Sequence, residues 1–396
     1  MEINKFRLLA SQKISGLVNT RLPLSIKTLI CKGIELITDI HIHIFNRKSV
    51  PAGIFIFKFS QVGWDRFLSF LSFGLRTITP FRKDSATDKT SRFIKEMDSD
   101  SVIIFNNVKN IYPTDTVFCV LMMDLHNKNR GFDESADNYI RLQWADICNL
   151  IDKGENILPF LCIDPSYQDG QRNCLDLFLE FFSGVYGKIP FGIKIYPSLG
   201  YLPSHPLLME IFAICEQKDI PVIAHCSSGT IHNHKRLMTN IEGLRYKNGQ
   251  FVNCKEWKFF ANGNVYAEYF NSPNNWTPVL SQFKNLRLNL AHFGGAEQIE
   301  KHIKHGNSWV TKIIELCENY PNVYSDLSYT LACASISDIK YIYESTIMKE
   351  KFLHGTDLYM ILNEGNQRNI LDSFVIGIGS EMYEKLQNNN RKFLSI

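Results

Sequence analysis

The feature that most constrains the fold of this chain is the recurrence of short apolar segments separated by amphipathic ones. Eight apolar segments are candidate β-strands: Leu36–His43, Val117–Met123, Ile157–Ile163, Phe191–Tyr196, Pro221–His225, Leu286–His292, Val323–Leu327 and Phe352–Asp357. Helical spacing of apolar residues predicts helices over 137–152, 172–183, Pro206–Gln217 and Trp309–Asn319. Strands that alternate with helices pair in parallel, and continuously apolar strands are buried on both faces.

Eight such units predict an α/β fold, the (β/α)8 TIM barrel, which needs about 250 residues. The remaining residues fall into an N-terminal helical extension (1–35), a long insertion between the first two strands (44–116) and a long segment after the fifth strand (226–284), with the barrel spanning 36–396. A doubly wound open sheet is the alternative architecture. The Phe-rich stretch 55–81 is interpreted as a covering layer, a lid or a homodimer face.

Charge and cysteine content exclude several classes of function. The chain has 43 Lys and Arg against 40 Asp and Glu, which gives no reason to expect nucleic-acid binding. The most apolar run, 53–57, is too short to cross a bilayer, so no membrane partner is expected. Ten cysteines without a Cys-x-x-Cys pair are interpreted as reduced core residues, and the N-terminus lacks a signal-peptide pattern. We therefore expect a cytoplasmic protein that binds a small molecule.

The first candidate strand ends in two histidines, His41 and His43, within the sequence Asp39-Ile40-His41-Ile42-His43. Side chains alternate between the faces of a strand, so both imidazoles point the same way and can bind one metal ion. An isolated pair of this kind is also compatible with two core histidines.

Four further candidate strands carry a polar residue of ligand or acid–base type at or near their carboxyl ends: Lys194, His225, His292 and Asp357. Active sites of TIM barrels are built at the carboxyl ends of the strands. Because each of these residues would need a separate structural explanation, their coincidence favours a metal site.

The residue types suit zinc, which binds imidazole nitrogen and carboxylate oxygen and keeps one position open for water. His41, His43, His225 and Asp357 are the candidate ligands. A zinc ion there would lower the pKa of its water from about 15.7 towards about 7. Asp357 is the candidate acceptor of the water's proton, and His292 would orient the water or stabilise charge on the substrate oxygen.

At these residues the sequence resembles the amidohydrolase superfamily of metal-dependent TIM-barrel enzymes. The narrower resemblance is to the amidohydrolase-related (amidohydrolase 2) branch, which includes the aminocarboxymuconate-semialdehyde and resorcylate decarboxylases and some lactonases. The segments that carry it are DIHIHIF (39–45), ILPFLCIDP (157–165), GIKIYPSLGYLP (192–203), IPVIAHCSSG (220–229), NSPNNWTPVL (271–280), NLRLNLAHFGG (285–295), NVYSDLSY (322–329) and HGTDLY (354–359).

The resemblance implies that His41, His43, His225 and Asp357 are metal ligands and that His292 is an acid–base or water-orienting residue. It favours one zinc ion per chain, with Lys194 contacting the substrate. Tyr196 lies on the same face of its strand as Lys194, so we expect it to line the pocket and contact the substrate as well. A binuclear site bridged by a carbamylated Lys194 is the alternative.

The expected reaction is hydrolysis of an amide, lactone or related carbonyl bond by metal-activated water, with Asp357 and His292 as catalytic residues. Non-oxidative decarboxylation of a small unsaturated or aromatic carboxylate uses the same residues and is the first alternative. A metal-binding barrel that serves as a binding module is the non-enzymatic alternative.

Overall fold

The computed structural model describes residues 21–49, 95–124, 136–228, 237–247 and 250–396. Eight parallel strands form one sheet: β1 (Thr38–Ile42), β2 (Val117–Leu121), β3 (Ile157–Ile163), β4 (Gly192–Ile195), β5 (Val222–Ser227), β6 (Leu288–Gly294), β7 (Val323–Asp326) and β8 (Phe352–Leu353). Each strand pairs with the next one along the chain. All eight predicted strands are confirmed, with somewhat different ends.

The two edges of the sheet come together between β1 and the segment that contains β8. The Ile40 N–H donates to the carbonyl oxygen of His354 at 3.2 Å, and the Asp357 N–H donates to that of His41 at 2.7 Å. Sequential strand order with joined edges is that of a TIM barrel, whereas a doubly wound sheet reverses its order at a switch point. The barrel prediction is confirmed, and the doubly wound alternative is wrong.

Helices surround the barrel. Within the described residues they are Leu24–Cys31, Ser101–Lys109, Ala136–Asp152, Cys174–Phe182, Pro206–Gln217, Gly263–Asn271, Thr277–Gln282, Ala296–His305, Trp309–Asn319, Thr330–Cys333, Ile336–Ser345, Gln367–Ile378 and Ser380–Leu394. Single 3-10 turns occur at Arg47–Ser49, Pro197–Leu199, Pro273–Trp276, Ile347–Glu350 and Met360–Asn363. The four predicted helices are all present, and two of them have the predicted ends. No described helix has the length and apolar character needed to cross a bilayer.

Local sequence explains where several helices begin. Asn173 accepts from the N–H groups of Leu175 and Asp176, and the Asp176 carboxylate accepts from the Asn173 N–H. This reciprocal capping satisfies amide groups that have no partner inside a helix. Pro206 begins its helix at the position where a missing N–H costs nothing.

The predicted extension and insertion are described only in part. Helix Leu24–Cys31 buries Ile26 and Leu29 in a cluster with barrel residues Ile40 and Val117. Residues 1–20 of the extension and 50–94 of the insertion, including the Phe-rich stretch 55–81, lie outside the described residues. The division of the chain at residue 35 stays a prediction.

The long segment after β5 contains an antiparallel hairpin that the sequence analysis did not predict. Strands Leu237–Lys247 and Gln250–Phe259 pair, and burial alternates along much of the second strand. Residue type does not follow this alternation, because Trp257 and Phe259 lie on the exposed side.

Candidate metal centre and cavity

Five predicted site residues meet at the carboxyl ends of the strands. His41 and His43 come from the end of β1, His225 from β5, His292 from β6, and Asp357 follows β8; all are buried. The ring centroid of His41 lies 5.3 Å from that of His43 and 4.8 Å from that of His292. The ring centroids of His225 and His292 are 4.4 Å apart. Side chains from four strands therefore converge on one point.

All of these residues except His41 line a cavity of about 400 Å³. The residues that line it are His43, Phe45, Met123, Tyr196, His225, Ser227, Ser228, His292, Gly295, Ala296, Glu297, Tyr329, Thr330, Cys333, Asp357, Met360 and Asn363. The cavity opens at the carboxyl-terminal face of the barrel, where TIM-barrel enzymes bind their substrates.

Two triads of donor atoms are close enough to hold one ion. Atoms of His41, His43 and Asp357 lie within 4.8 Å of one another, and so do atoms of His41, His292 and Asp326. In the first triad, His43 Nε2 is 3.8 Å from Asp357 Oδ1. His41 belongs to both triads, so the choice between them depends on which atoms are already engaged.

Hydrogen bonds at Nδ1 determine which ring nitrogen of His41 and His43 is free. His43 Nδ1 lies 2.8 Å from the carbonyl oxygen of Leu121, which can only accept, so Nδ1 carries the proton. His41 Nδ1 lies 3.0 Å from Asp326 Oδ2, which leads to the same assignment. Both rings therefore present the lone pair of Nε2, and such partners orient metal-binding histidines in proteins.

His225 and His292 form a short chain of hydrogen bonds. His292 Nδ1 lies 2.9 Å from the carbonyl oxygen of Ser328, so Nδ1 carries the proton and Nε2 accepts. His225 Nδ1 then donates to His292 Nε2 at 2.9 Å, which leaves His225 Nε2 as a lone pair. Among the described residues, His225 Nε2 has no hydrogen-bond partner.

The carboxylate of Asp357 is the oxygen donor of the site. Its Oδ1 is buried without a hydrogen-bond donor in the described part of the chain. The Nε2 lone pairs of His41 and His43 and the Asp357 carboxylate form a triad that suits zinc and tolerates other divalent ions of the first transition row. His225 lies beside His292 and belongs to neither triad, so its role as a further ligand stays a prediction. The residues present therefore fit a metal ion.

Burial keeps the histidines neutral. It lowers the pKa of His41 to about 4 and that of His292 to about 3, and it lowers the pKa of His43 and His225 well below the usual range. Neutral imidazole is the form that binds a metal.

Burial acts oppositely on the two charged groups beside the histidines. It lowers the pKa of the Lys194 ammonium and raises the pKa of the Asp357 carboxyl. The charge of Lys194 partly offsets the rise in the pKa of Asp357, and an ion at the site would offset it further.

Lys194 and Tyr196 differ in their access to the cavity. Tyr196 lines it, and its ring stacks on His225 with centroids 4.3 Å apart. Lys194 is buried beneath the histidines with Nζ 3.5 Å from His41 Nε2, and it is not among the cavity-lining residues. A direct contact between Lys194 and the substrate stays a prediction.

Asp326 and Ser328 are the residues that sequence reasoning missed. Asp326 ends β7 and accepts from His41, while Ser328 contacts both His41 and His292. The signal was present in the sequence, because the seventh apolar strand also ends in a carboxylate.

Strained backbone is concentrated at this site. Of the six described non-glycine residues with positive φ, four are His292 (69°), Phe293 (48°), Tyr329 (57°) and Asp357 (58°). The left-handed conformation costs a residue with a Cβ about 1–2 kcal/mol. Such strain persists where the surrounding structure imposes it, typically at functional sites.

Comparison with known proteins identifies the family. The sequence model of the family described as "Amidohydrolase" matches residues 184–390, slightly more than half of the chain. Members of this family are metal-dependent and mostly enzymes. A search of curated proteins found no match.

Three solved structures match this chain at low sequence identity. 5-Carboxyvanillate decarboxylase from Novosphingobium aromaticivorans, complexed with manganese and 4-hydroxy-3-methoxy-5-nitrobenzoic acid, is 10% identical with a TM-score of 0.51, covering 91% of this chain and 96% of that one. A probable 2-pyrone-4,6-dicarboxylic acid hydrolase from Acinetobacter baumannii is 11% identical with a TM-score of 0.49, covering 91% and 99%. 4-Oxalomesaconate hydratase from Rhodopseudomonas palustris is 14% identical with a TM-score of 0.44, covering 91% and 96%.

The match of the family model agrees with the eight-stranded barrel and with the cluster of histidine and aspartate side chains at its carboxyl-terminal end. This chain belongs to the amidohydrolase family.

Proposed function

We propose that the protein is a metal-dependent hydrolase that cleaves an amide, lactone or related carbonyl bond of a small molecule. The observation that carries the proposal is the set of unpartnered donor atoms at the base of the cavity. His225 Nε2 and Asp357 Oδ1 are buried without hydrogen-bond partners among the described residues, and the hydrogen bonds of His43 leave its Nε2 facing the same carboxylate. Buried polar atoms without partners are costly unless a ligand satisfies them.

His41, His43, His225 and Asp357 would hold one zinc ion. When bound, the ion polarises a carbonyl oxygen and lowers the pKa of water. The nearest group that could change the metal count is Lys194, whose Nζ lies 3.5 Å from His41 Nε2. Carbamylation of this lysine would accompany a second ion, so the number of ions per chain distinguishes the two arrangements.

Asp357 is the group that accepts a proton from the attacking water. Its backbone N–H donates to the carbonyl oxygen of His41 at 2.7 Å, which holds the residue against β1. Its Oδ1 has no donor among the described residues and faces the cavity. A fixed oxygen with free lone pairs is suited to receive the proton at that atom.

His292 acts by orienting its neighbour. Both of its ring nitrogens are engaged, Nδ1 with Ser328 and Nε2 with His225. A ring held in this way is suited to position His225 and water, and less suited to transfer a proton to the substrate itself.

The wall of the cavity favours a substrate with little charge. The described lining contains apolar and aromatic side chains such as Phe45, Tyr196 and Met360, together with the hydroxyls of Ser227 and Ser228. No Lys or Arg occurs among the described residues of this lining. A substrate with several carboxylates would usually be met by such cations, so the described lining favours a substrate with few negative charges.

Metal content and turnover test the proposal together. We expect about one zinc ion per chain in the purified protein by elemental analysis, and loss of both metal and activity in the double variant His41→Ala, His43→Ala, with the far-UV circular dichroism retained. The matched control is His302→Ala, His305→Ala, two histidines of the helix Ala296–His305 outside the cavity lining. The control should keep metal and activity.

The substrate panel separates the alternatives. Turnover of lactones or amides that depends on His41 and His43 supports hydrolysis. Release of carbon dioxide from aromatic carboxylates, without hydrolysis, would replace the proposal with decarboxylation. Unchanged metal content in the double variant would leave a barrel that only binds ligands, and a ratio near two ions per chain would support the site bridged by Lys194.

A further inference from the structure

The Asp326 carboxylate is the most heavily hydrogen-bonded acid in the described structure near the cavity. Its Oδ2 accepts from His41 Nδ1 at 3.0 Å and from Asn289 Nδ2 at 2.7 Å. Its Oδ1 accepts from the N–H groups of His292 at 2.9 Å and Ser328 at 3.0 Å, and from the Ser328 hydroxyl. The side chain of Asp326 is fully buried.

These five donors come from three strands of the barrel. His41 belongs to β1, Asn289 and His292 to β6, and Ser328 follows β7. The Asp326 carboxylate therefore bonds both to His41 of β1 and to His292, where the backbone bends near the end of β6. Because each contact is buried, displacement of the carboxylate would leave several donors unsatisfied.

Ser328 contacts the second pair of histidines, His292 directly and His225 through His292. Its carbonyl oxygen lies 2.9 Å from His292 Nδ1, and its Oγ lies 2.9 Å from the same nitrogen. His292 in turn accepts from His225 Nδ1 at 2.9 Å. The hydrogen-bond chain Ser328–His292–His225 thus ends at the lone pair of His225 Nε2.

We propose that the turn Asp326-Leu327-Ser328 is the positioning element of the metal site, which selects Nε2 as the donor atom of His41 directly and of His225 through His292. Free histidine in water favours the opposite neutral tautomer, with the proton on Nε2, so an acceptor at Nδ1 is needed to reverse it. The inference rests on the proposed function for the metal itself, whereas the tautomers belong to the metal-free protein.

Asp326 could instead be a ligand, because one donor triad consists of His41, His292 and Asp326. The hydrogen bonds argue against that role. Both oxygens of Asp326 are already occupied by donors, while Asp357 Oδ1 has none among the described residues. Asp326 therefore acts through His41 and is a positioning residue rather than a ligand.

The direct test is the tautomeric state of the histidines in the metal-free wild-type protein. Long-range ¹H–¹⁵N correlation spectra of ¹⁵N-labelled protein, assigned with single His→Gln variants, distinguish protonated from unprotonated ring nitrogens. We expect a proton on Nδ1 and a lone pair on Nε2 for His41, His43 and His225. A proton on Nε2 of His41 or His225 would overturn the proposal.

The second test compares two buried aspartates. Asp326→Asn removes the charged acceptor from His41, and loss of such a partner typically weakens metal affinity about 10–100-fold. The control is Asp39→Asn, because Asp39 is a comparably bonded buried carboxylate that does not contact the ring of a ligand. It accepts from the Tyr112 hydroxyl, from the His41 backbone N–H, and from the N–H and hydroxyl of Thr356. We expect a weaker zinc Kd for Asp326→Asn and an unchanged Kd for Asp39→Asn.

The outcomes separate this inference from the proposed function. If wild-type protein binds no zinc, the proposed function fails, and the spectra of the metal-free protein still decide the tautomers. If Asp326→Asn binds zinc as tightly as wild type, or if Asp39→Asn loses as much affinity, the positioning role is refuted. Should Asp326→Asn not fold, the wild-type spectra decide alone: a proton on Nδ1 of both His41 and His225 supports the positioning role, and a proton on Nε2 of either refutes it.

Discussion

Replacing Asp357 by asparagine is expected to change stability in opposite directions with and without metal. Asp357 Oδ1 is a buried carboxylate oxygen without a hydrogen-bond donor among the described residues. His43 Nε2, a lone pair, lies 3.8 Å from it. Burial raises the pKa of Asp357 to about 8, so above that pH the carboxylate of the metal-free protein is ionised and two acceptors face each other. An amide group at position 357 could donate to His43 instead.

The magnitude follows from the cost of an unsatisfied group. A buried polar atom without a partner costs about 1–3 kcal/mol, and more when it is charged. Asp357→Asn should therefore raise the free energy of unfolding of the metal-free protein by about 1–3 kcal/mol. Removal of unfavourable charge from an active site often stabilises a protein at the expense of its function.

With zinc present, the wild-type protein becomes the more stable of the two. Wild-type protein gains about 2.7 kcal/mol when free zinc is a hundred times its Kd, whereas a variant that has lost a ligand gains much less. The assay is urea unfolding of both proteins at a pH above the raised pKa of Asp357, once in chelator and once in excess zinc. Two other variants serve as comparisons. Asp326→Asn and Asp39→Asn each replace a carboxylate that accepts several hydrogen bonds, so both should lower the free energy of unfolding of the metal-free protein.

A metal-free Asp357→Asn protein that is less stable than wild type would refute the reasoning, since Oδ1 would then have a partner that the substitution removes. Equal stabilisation of both proteins by zinc would refute the assignment of Asp357 as a ligand.

Two further predictions concern the barrel around the site. Tyr112→Phe removes the hydroxyl that donates to Asp39 Oδ2 at 2.7 Å and should lower the free energy of unfolding by about 1.5–3 kcal/mol, measured by urea unfolding, with unchanged metal content by elemental analysis. Gly355→Ala would bring a Cβ to 2.9 Å from the Cβ of His41 and 3.2 Å from Ile40 Cγ1. Because β1 and the segment after β8 meet at Gly355, we expect the free energy of unfolding to fall by about 1–3 kcal/mol and zinc to bind more weakly. An unchanged melting temperature and an unchanged zinc Kd would contradict this prediction, because they would show that the two segments move apart without cost.

The strands were predictable because each is a local pattern. Parallel strands covered by helices on one side and filled by side chains on the other must be apolar along their length, and this leaves a signature in the sequence itself. The hairpin after β5 was not predicted, because the burial of its second strand does not follow residue type. Trp257 and Phe259 are exposed, whereas Glu256 and Lys258 lie on the more buried face. Residues outside the described part of the chain leave the Phe-rich stretch 55–81 as a prediction.

The candidate ligands were predictable for a related reason. His41, His43, His225 and Asp357 each lie at the polar end of an apolar segment, and the barrel topology brings all such ends to one face. Asp326 also ends such a segment, but sequence position alone does not distinguish a carboxylate with free oxygens from one whose oxygens are both occupied. That distinction depends on donors contributed by Asn289 and His292, which are remote from Asp326 in the chain.

The sequence by itself determined the barrel, the order of its strands and the residue types gathered at its mouth, because hydrophobic periodicity and strand parity act over a few residues. Only the tertiary structure decided which atoms are free. The carbonyl of Leu121, the carboxylate of Asp326 and the turn at Ser328 choose the exposed nitrogen of each imidazole, and Lys194 lies below the cavity rather than on its wall. Those choices depend on contacts between residues up to 285 positions apart, and no local pattern encodes them.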